Sequence, residues 1–334
     1  VKFKIGDKSD LIEEATGTAT LYHENQVKLD DITKDGKPVV ILVDADIVAY
    51  RCSATADGRK YKVSVGGTTE EFSYKKNALE YCEKYDIDKE HIKIEYVPEP
   101  VNNARSNVDQ LMKKMSKELR ASKVECYLTP DVIFRADYMS DYKANRIGVR
   151  KPTHLKACKK HLTEKYGAEQ VDGYEADDLL AIRARQILEE GESIPIICST
   201  DKDLDMISCY HYNWTKKSLY FVTPEEGTIN FYTQLLVGDA TDNIPGIYGV
   251  GPKTAKKILE ECDGSSSFEC YIRVLNAYIE ADQKKDDSET KEVALARIVA
   301  EVTRNARLLH ILHHMGEVWY PPVAKREEEE INGS

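Results

Sequence analysis

At 334 residues the chain can bury a substantial core, as one large domain or, the better starting guess, two modest ones. Charged residues make up 31% of it, mean hydropathy is -0.51, and no apolar run reaches the roughly 18–20 residues that span a bilayer, so a helical membrane protein is excluded and a soluble one expected. The net charge of -11, taken as a sum, argues against a nucleic-acid partner, because phosphate binding needs positive potential.

The distribution of charge tells a different story from the sum. Between Lys143 and Lys165 lie Arg146, Arg150, Lys151, Lys156, Lys159 and Lys160, with Glu164 as the single acid. Such a stretch is a candidate phosphate track, although read alone it fits a solvated helix face better. The eight cysteines (Cys52, Cys82, Cys126, Cys158, Cys198, Cys209, Cys262 and Cys270) are scattered singly, without CxxC pairs or partnering histidines. That spacing argues against zinc and against a disulfide framework, and it fits a reducing cytoplasm. No basic stretch leads from Val1 into an apolar segment, so no signal peptide is read in this sequence.

Residues 1–36 mix charge, Gly and Thr with little periodicity and read as an arm, a partner-binding segment or a small hairpin layer. Val39 to Val43 is a β-branched apolar run too short for a helix, which predicts a strand buried on both faces and ending at Asp44. An insertion follows at about 54–105: Tyr61, Val63 and Val65 alternate up to Gly66-Gly67 as in a hairpin, Ala78 to Tyr85 has a helical pattern and His91 to Val97 an extended one. Helix is predicted for Asn103 to Leu119, Lys156 to Tyr166 and Glu175 to Glu190. Strand is predicted for Val124 to Leu128, Glu169 to Val171 and Ile194 to Ser199, with a turn at Pro130.

Strands alternating with helices imply an α/β fold with a mostly parallel sheet, and residues 37–236 are read as that domain. From 237 to 324 the chain turns to Gly-rich turns and helices, up to about Met315, with a polar break from Gln283 to Glu292, and reads as a helical subdomain. The charge-dense end, 325–334, including Glu327 to Glu330, is expected to be disordered.

Ligand sites in open α/β sheets form beyond the carboxyl ends of the strands, and the acids gather there. Asp44 and Asp46 end one predicted strand, and Asp201 and Asp203 follow another. Glu175, Asp177 and Asp178 open the intervening helix, while Asp239 and Asp242 occupy the turn Gly-Asp-Ala-Thr-Asp-Asn. So many carboxylates repel one another by several kcal/mol unless cations neutralise them. An oxygen-only set favours Mg²⁺ or Mn²⁺ over Zn²⁺, and its size suggests a pair of ions. Two ions about 4 Å apart can activate water and stabilise both oxygens of an in-line phosphoryl displacement.

Three segments carry a resemblance: Glu175-Ala176-Asp177-Asp178, then Ser199-Thr200-Asp201-Lys202-Asp203, then Gly238 to Gly246. Phe134-Arg135 and Tyr142-Lys143-Ala144-Asn145-Arg146 precede them, and Gly249-Val250-Gly251-Pro252-Lys253-Thr254-Ala255 follows. In order and spacing these resemble the flap endonuclease and 5′-3′ exonuclease family: the 5′-nuclease domain of bacterial DNA polymerase I and the phage 5′-nucleases. The likeness covers about residues 39–262.

The resemblance implies a PIN-like nuclease domain followed by a helix-hairpin-helix-type DNA-binding subdomain. It implies two Mg²⁺ (or Mn²⁺) held directly or indirectly by Asp44, Glu175, Asp177, Asp178, Asp201, Asp203, Asp239 and Asp242. Lys143 and Arg146 would reach the scissile phosphate from the base of a helical arch. Tyr142 would stack on a terminal base or pack in the core, and Arg135 would clamp a phosphate or form a carboxylate salt bridge. Gly249, Gly251, Lys253, Lys256 and Lys257 would bind duplex phosphates with an associated K⁺, where the residues alone allow an ordinary Gly cap before a surface helix. The implied partners are DNA with 5′ ends, flaps or junctions and an RNA primer in a hybrid, in replication, repair or phage DNA processing, within a bacterial or phage-infected cytoplasm.

The sequence departs from the family pattern in two places. Thr129 stands where the family usually has a ligand aspartate, so that one metal is expected to be weakened or Asp131 or Asp46 to substitute, and the short span from Arg146 to Glu175 suggests a compact arch. A PIN-like ribonuclease, which would normally lack the Gly249 to Lys257 element, and a non-catalytic or weakly active DNA-structure-binding protein are the alternatives.

Overall fold

The β-branched run Val39–Asp44 forms strand β1, and in the computed structural model, which describes residues 25–282 and 290–323, it is buried along its whole length. Its neighbours are β5 (Lys123–Tyr127) and β6 (Ile194–Cys198), both parallel to it. Beyond β6 come β7 (Tyr210–Asn213), parallel, and β8 (Ser218–Phe221), antiparallel at the edge. The fold is therefore α/β with a mostly parallel central sheet.

Strand periodicity divides the core between two faces. Val39, Ile41 and Val43 pack with Val48, Val108, Met112, Met115 and Leu162 from the helices Ala45–Thr55, Val101–Glu118 and Leu155–Tyr166. Val40 and Leu42 face the helix Ala176–Glu190 through Leu180, Ala184 and Ile187. Each fully buried aliphatic side chain contributes about 1.5–3 kcal/mol.

The predicted strand Glu169 to Val171 reduces to one parallel bridge between Tyr127 and Glu169, because the chain turns at once towards the helix that Glu175 caps. β7 and β8 escaped the sequence reading. Each is four residues long, and their side chains alternate too little in polarity to stand out. Part of the expected N-terminal arm docks on this edge: Gln26 bridges Tyr220, and the amide of Val27 donates to Leu219 O at 3.0 Å. Residues 1–24 of that arm lie outside the described residues.

Between the helices Ala45–Thr55 and Val101–Glu118 stands a separate antiparallel sheet, order β3-β2-β4, from β2 (Asp57–Val65), β3 (Thr68–Phe72) and β4 (Ile92–Pro98). Gly66 and Gly67, both at positive φ, make the β2–β3 turn, as the glycine pair predicted. The helix Lys75–Lys84 covers one face, where Tyr61, Val63, Ala78 and Cys82 form a small core.

The C-terminal region is helical: Pro224–Val237, Pro252–Ile258, Ser267–Asp282 and Lys291–Leu309 share a core built on Tyr232, Leu235, Leu236, Val274, Val302 and Ala306. The last helix ends at Leu309, short of the expected Met315, and begins at Lys291 where Thr290 caps it, inside the stretch expected to be a polar break. The rest of that break, 283–289, and the tail from 324 lie outside the described residues. Among the described residues no helix is long and apolar enough to cross a membrane.

Candidate active site

At the carboxyl end of the sheet the chain leaves β1 through Asp44, which caps the next helix by accepting from the Ile47 amide at 3.1 Å. The Ser199 hydroxyl, just beyond β6, donates to the other Asp44 oxygen at 2.8 Å and accepts from the Asp201 amide at 3.0 Å. Ser199 thus couples the two strand ends, a role the sequence reading missed although it sits in the Ser-Thr-Asp run. Asp203 follows, its amide donating to Asp201 at 3.0 Å.

The third acidic segment is placed by two glycines. Gly238 (φ 77°) and Gly246 let the short pairing of Asp239 with Ile244 and of Gly238 with Pro245 close tightly, because a Cβ at Gly246 would collide with the Val237 and Gly238 backbone. The resulting turn delivers Asp239 and Asp242 to one cleft with Glu175, Asp177 and Asp203.

The cleft has two electrostatic halves. In the first, cations meet acids. Arg135, 3% exposed, donates to both oxygens of the fully buried Asp178 at 2.6 and 2.8 Å, lies 3.1 Å from Glu175, and donates to the carbonyls of Leu308 (2.9 Å) and His310 (2.6 Å). Asp178 also accepts from the amides of Glu175 and Leu312, each at 3.1 Å. Lys143, at φ 58°, pairs with Glu175 and lies 3.4 Å from Asp242, while Arg146 pairs with Asp242. Tyr142 donates to either Glu175 at 3.0 Å or Asp242 at 3.1 Å. Burial would raise Glu175, but Arg135 and Lys143 hold it below the usual carboxylate range.

The second half holds Asp177, Asp203 and Asp239, which line the cleft, with Asp44 and Asp201 next to them, and among the described residues no lysine or arginine forms an ion pair with any of the five. Burial, with Asp46 and Asp201 close by, pushes Asp44 up to about 7. Burial and then Asp201 and Asp239 push Asp203 up to about 8. Burial, Asp44 and Asp201 hold Asp177 well above the usual range. Such repulsion is what a hard divalent cation relieves, and the donor set, all oxygen, fits one in chemistry. Among the described residues no group of three His, Cys, Asp or Glu side chains is placed to hold one ion.

Several sequence-predicted residues take definite places. Arg135 and Asp178 are locked together, so Arg135 is a buried carboxylate clamp where a DNA contact was also expected. Tyr142 is a hydrogen-bonded wall of the cleft, packed beside the C-terminal core, instead of a free stacking face. Thr129 ends in a loop where its amide donates to Asp46 at 2.8 Å and its hydroxyl accepts from the Ala176 amide at 3.1 Å. Asp46 is further tied to Lys159 at 2.5 Å and lies close enough to Asp44 to raise it, whereas Asp131 is exposed. Gly249 (φ 79°) and Gly251 form an exposed turn before the helix Pro252–Ile258, with Lys253, Lys256 and Lys257 on its open surface and Tyr248 97% exposed beside it.

Residues 94–227 match the family described as 5′-3′ exonuclease, N-terminal resolvase-like domain. In sequence the chain is 31% identical over 181 residues to the thermostable DNA polymerase I of Thermus aquaticus, a match covering 51% of this chain and 21% of that polymerase. It is 35% identical over 142 residues to the corresponding enzyme of Thermus caldophilus, covering 38% of this chain and 16% of the other. The chain therefore spans about a fifth of the length of the polymerases it resembles. Its fold is similar to that of T5 5′-exonuclease solved with divalent zinc ions, with a TM-score of 0.50, 16% identity, and coverage of 81% of this chain and 89% of the other.

Proposed function

We propose, from the premise that this chain belongs to the 5′-3′ exonuclease family, that its acidic cleft hydrolyses DNA phosphodiester bonds at 5′ ends, flaps or junctions with the help of divalent cations. The observation that carries this reading is the juxtaposition of two unlike halves: clustered carboxylates, from the buried Asp44 to the exposed Asp201, without ion-pair partners among the described residues, and Lys143 and Arg146 beside them on a short strap. Carboxylates from two parallel strand ends, a helix start and a glycine-closed turn have no structural need to converge. They make sense as a cation site.

Asp44, Asp177, Asp201, Asp203 and Asp239 would hold two Mg²⁺ (or Mn²⁺), with Glu175 and Asp242 joining as their lysine and arginine partners turn to substrate. Bound ions supply an activated water and charge stabilisation for an in-line displacement. The chain's own part is positional. Asp178 and Arg135 fix the helix start that carries Glu175 and Asp177. Lys143 and Arg146, now satisfied by Glu175 and Asp242, exchange those carboxylates for phosphate oxygens, placing two positive charges where negative charge develops. Tyr142 closes the wall. The exposed Gly249 to Lys257 turn would grip duplex phosphate at a distance, with K⁺ as the family resemblance suggests, and an RNA primer in a hybrid is a compatible substrate. The division into a nuclease domain to 236 and a DNA-binding subdomain from 237 belongs to the same proposal, as does a cytoplasmic setting in a bacterium or phage-infected host.

The test is incubation of 5′-labelled flap and blunt duplexes with Mg²⁺ or Mn²⁺ beside an Asp201→Asn control. Cleavage absent from the control supports the reading, and preferential cutting of single-stranded RNA would redirect it to a ribonuclease. Thr129 favours one other reading. A hydroxyl that accepts from the Ala176 amide stands where the resemblance expects a ligand aspartate, and tight flap binding without turnover would identify a DNA-structure-binding protein.

A further inference from the structure

The strap from Lys143 to Thr153 is held at both ends. At its start, the Lys143 amide donates to Asp242 O at 3.0 Å, Asn145 donates to Ala240 O at 2.5 Å and Arg146 to Thr241 O at 3.2 Å. At its far end it is tied to the side sheet. Asp57, at the start of β2 and with its side chain 2% exposed, accepts from Arg150 Nη1 at 2.8 Å and from the Thr153 amide at 3.2 Å. The Arg150 guanidinium also lies 3.4 Å from the ring centroid of Tyr96 on β4, and Arg59 on β2 approaches the same ring at 5.7 Å. His154 and Glu99 O, 2.7 Å apart, close the junction. Between the two anchorages Ile147 (82% exposed) and Val149 (61%) stand in solvent around Gly148 at φ 79°.

The two anchorages differ in what substrate does to them. The side chains of Lys143 and Arg146 are paired with carboxylates that phosphate and cations compete for, so those pairs are the ones substrate would open, while the bonds to the Asp242, Ala240 and Thr241 carbonyls hold only the backbone and the inner part of the Arg146 side chain. The Asp57–Arg150–Tyr96 contact involves none of those acids. We propose that the side sheet is the strap's permanent abutment: Asp57 and Tyr96, by holding Arg150, keep Lys143 and Arg146 over the cleft while their carboxylate partners are exchanged. Asp57, Tyr96 and Arg150 are thus positioning residues, and the proposal rests on the nuclease reading for its catalytic consequence but not for the anchoring itself. A planar guanidinium both stacked on an aromatic face and bonded to a carboxylate is suited to this, because it fixes direction as well as distance.

The experiment uses the full chain with Asp57→Ala, Asp57→Asn, Tyr96→Ala and Tyr96→Phe, each checked for an unchanged melting temperature. Two readouts are taken: limited trypsin digestion without DNA, scored for cleavage after Arg146 and Arg150, and single-turnover cleavage with measured DNA affinity. Lys151 precedes Pro152 and resists trypsin, so it does not confuse the pattern. The expected result is faster digestion of the strap in Asp57→Ala and Tyr96→Ala, with the cleavage rate down about 10-fold and Kd within about 3-fold of wild type, and recovery in Tyr96→Phe. Should Asp57→Ala misfold, Asp57→Asn and Tyr96→Ala carry the same readouts. Unchanged digestion in the folded variants overturns the anchoring. Tighter DNA binding by Asp57→Asn together with an unchanged cleavage rate would instead make Arg150 a phosphate contact that Asp57 restrains, and overturns the proposal. If the wild-type chain cleaves no DNA, the nuclease reading fails while trypsin still decides whether the abutment exists.

Discussion

Replacing Arg135 with Met removes the charge and hydrogen bonds of the guanidinium while keeping most of its volume. The fully buried Asp178 then keeps only the Glu175 and Leu312 amides, and the Leu308 and His310 carbonyls lose their guanidinium donor. Removing one partner of a buried ion pair costs about 3–5 kcal/mol, because the remaining charge has nowhere to go. At about 2–4 °C per kcal/mol for a chain segment of this size, Arg135→Met should melt about 10 °C below wild type. Urea unfolding followed by circular dichroism measures the free energy directly. The double variant Arg135→Met/Asp178→Leu should regain part of the loss, since an apolar pair of similar volume replaces a buried salt bridge at little cost. A loss below about 1 kcal/mol in the single variant, or unchanged stability with weakened DNA affinity, would refute the clamp and return Arg135 to the DNA surface.

Lys143→Ala should lower melting by less than Arg135→Met, because Glu175 keeps Arg135 and Tyr142, but lower single-turnover cleavage by about 10²-fold, and a rate within 3-fold of wild type would remove Lys143 from the mechanism. Gly246→Ala forces the Val237 to Gly238 backbone aside, which should cost about 1–3 kcal/mol and abolish Mn²⁺-induced stabilisation in thermal melts, because Asp239 and Asp242 ride on that turn. Asp109 offers a pH test away from the cleft. Burial acts to raise it, but Lys165, His161 and Tyr166 outweigh burial and hold it down to about 2. A carboxylate depressed in the folded state adds stability above its unfolded pKa and loses it as pH falls from about 4 towards 2. Asp109→Asn should therefore flatten the acid limb of the stability profile, and an unaltered limb would count against the pairing.

The parts of the fold that could be read from sequence were those where one physical demand dominates a short segment. Val39 to Val43 and Ile194 to Cys198 are apolar without alternation because both faces are covered, and the acids that follow them stand out against that background. The Gly66-Gly67 turn was legible because few residues other than glycine tolerate its backbone. Pairing between distant segments was not legible. Arg135 reaches carbonyls far along the chain at Leu308 and His310, and Arg150 finds Asp57 through a sheet whose placement beside the strap has no local signal. Thr129 was flagged by its position, yet the bond its hydroxyl accepts from Ala176 depends on where the following helix begins. The acids stand out in sequence as a group, whereas their separation into cation-paired and unpaired halves depends on where the fold carries Lys143 and Arg146.

The unpaired half of the cleft is tested by the single-turnover cleavage rate of a 5′-flap duplex as Mg²⁺ is raised from a chelated start, for wild type and Asp203→Asn. A cation site there gives no cleavage in chelator, a saturable rise with Mg²⁺ for wild type, and a rate lower by at least about 10²-fold in Asp203→Asn with its melting temperature no lower than wild type without cation. Cleavage that persists in chelator, or an Asp203→Asn chain that cuts at the wild-type rate, would contradict it.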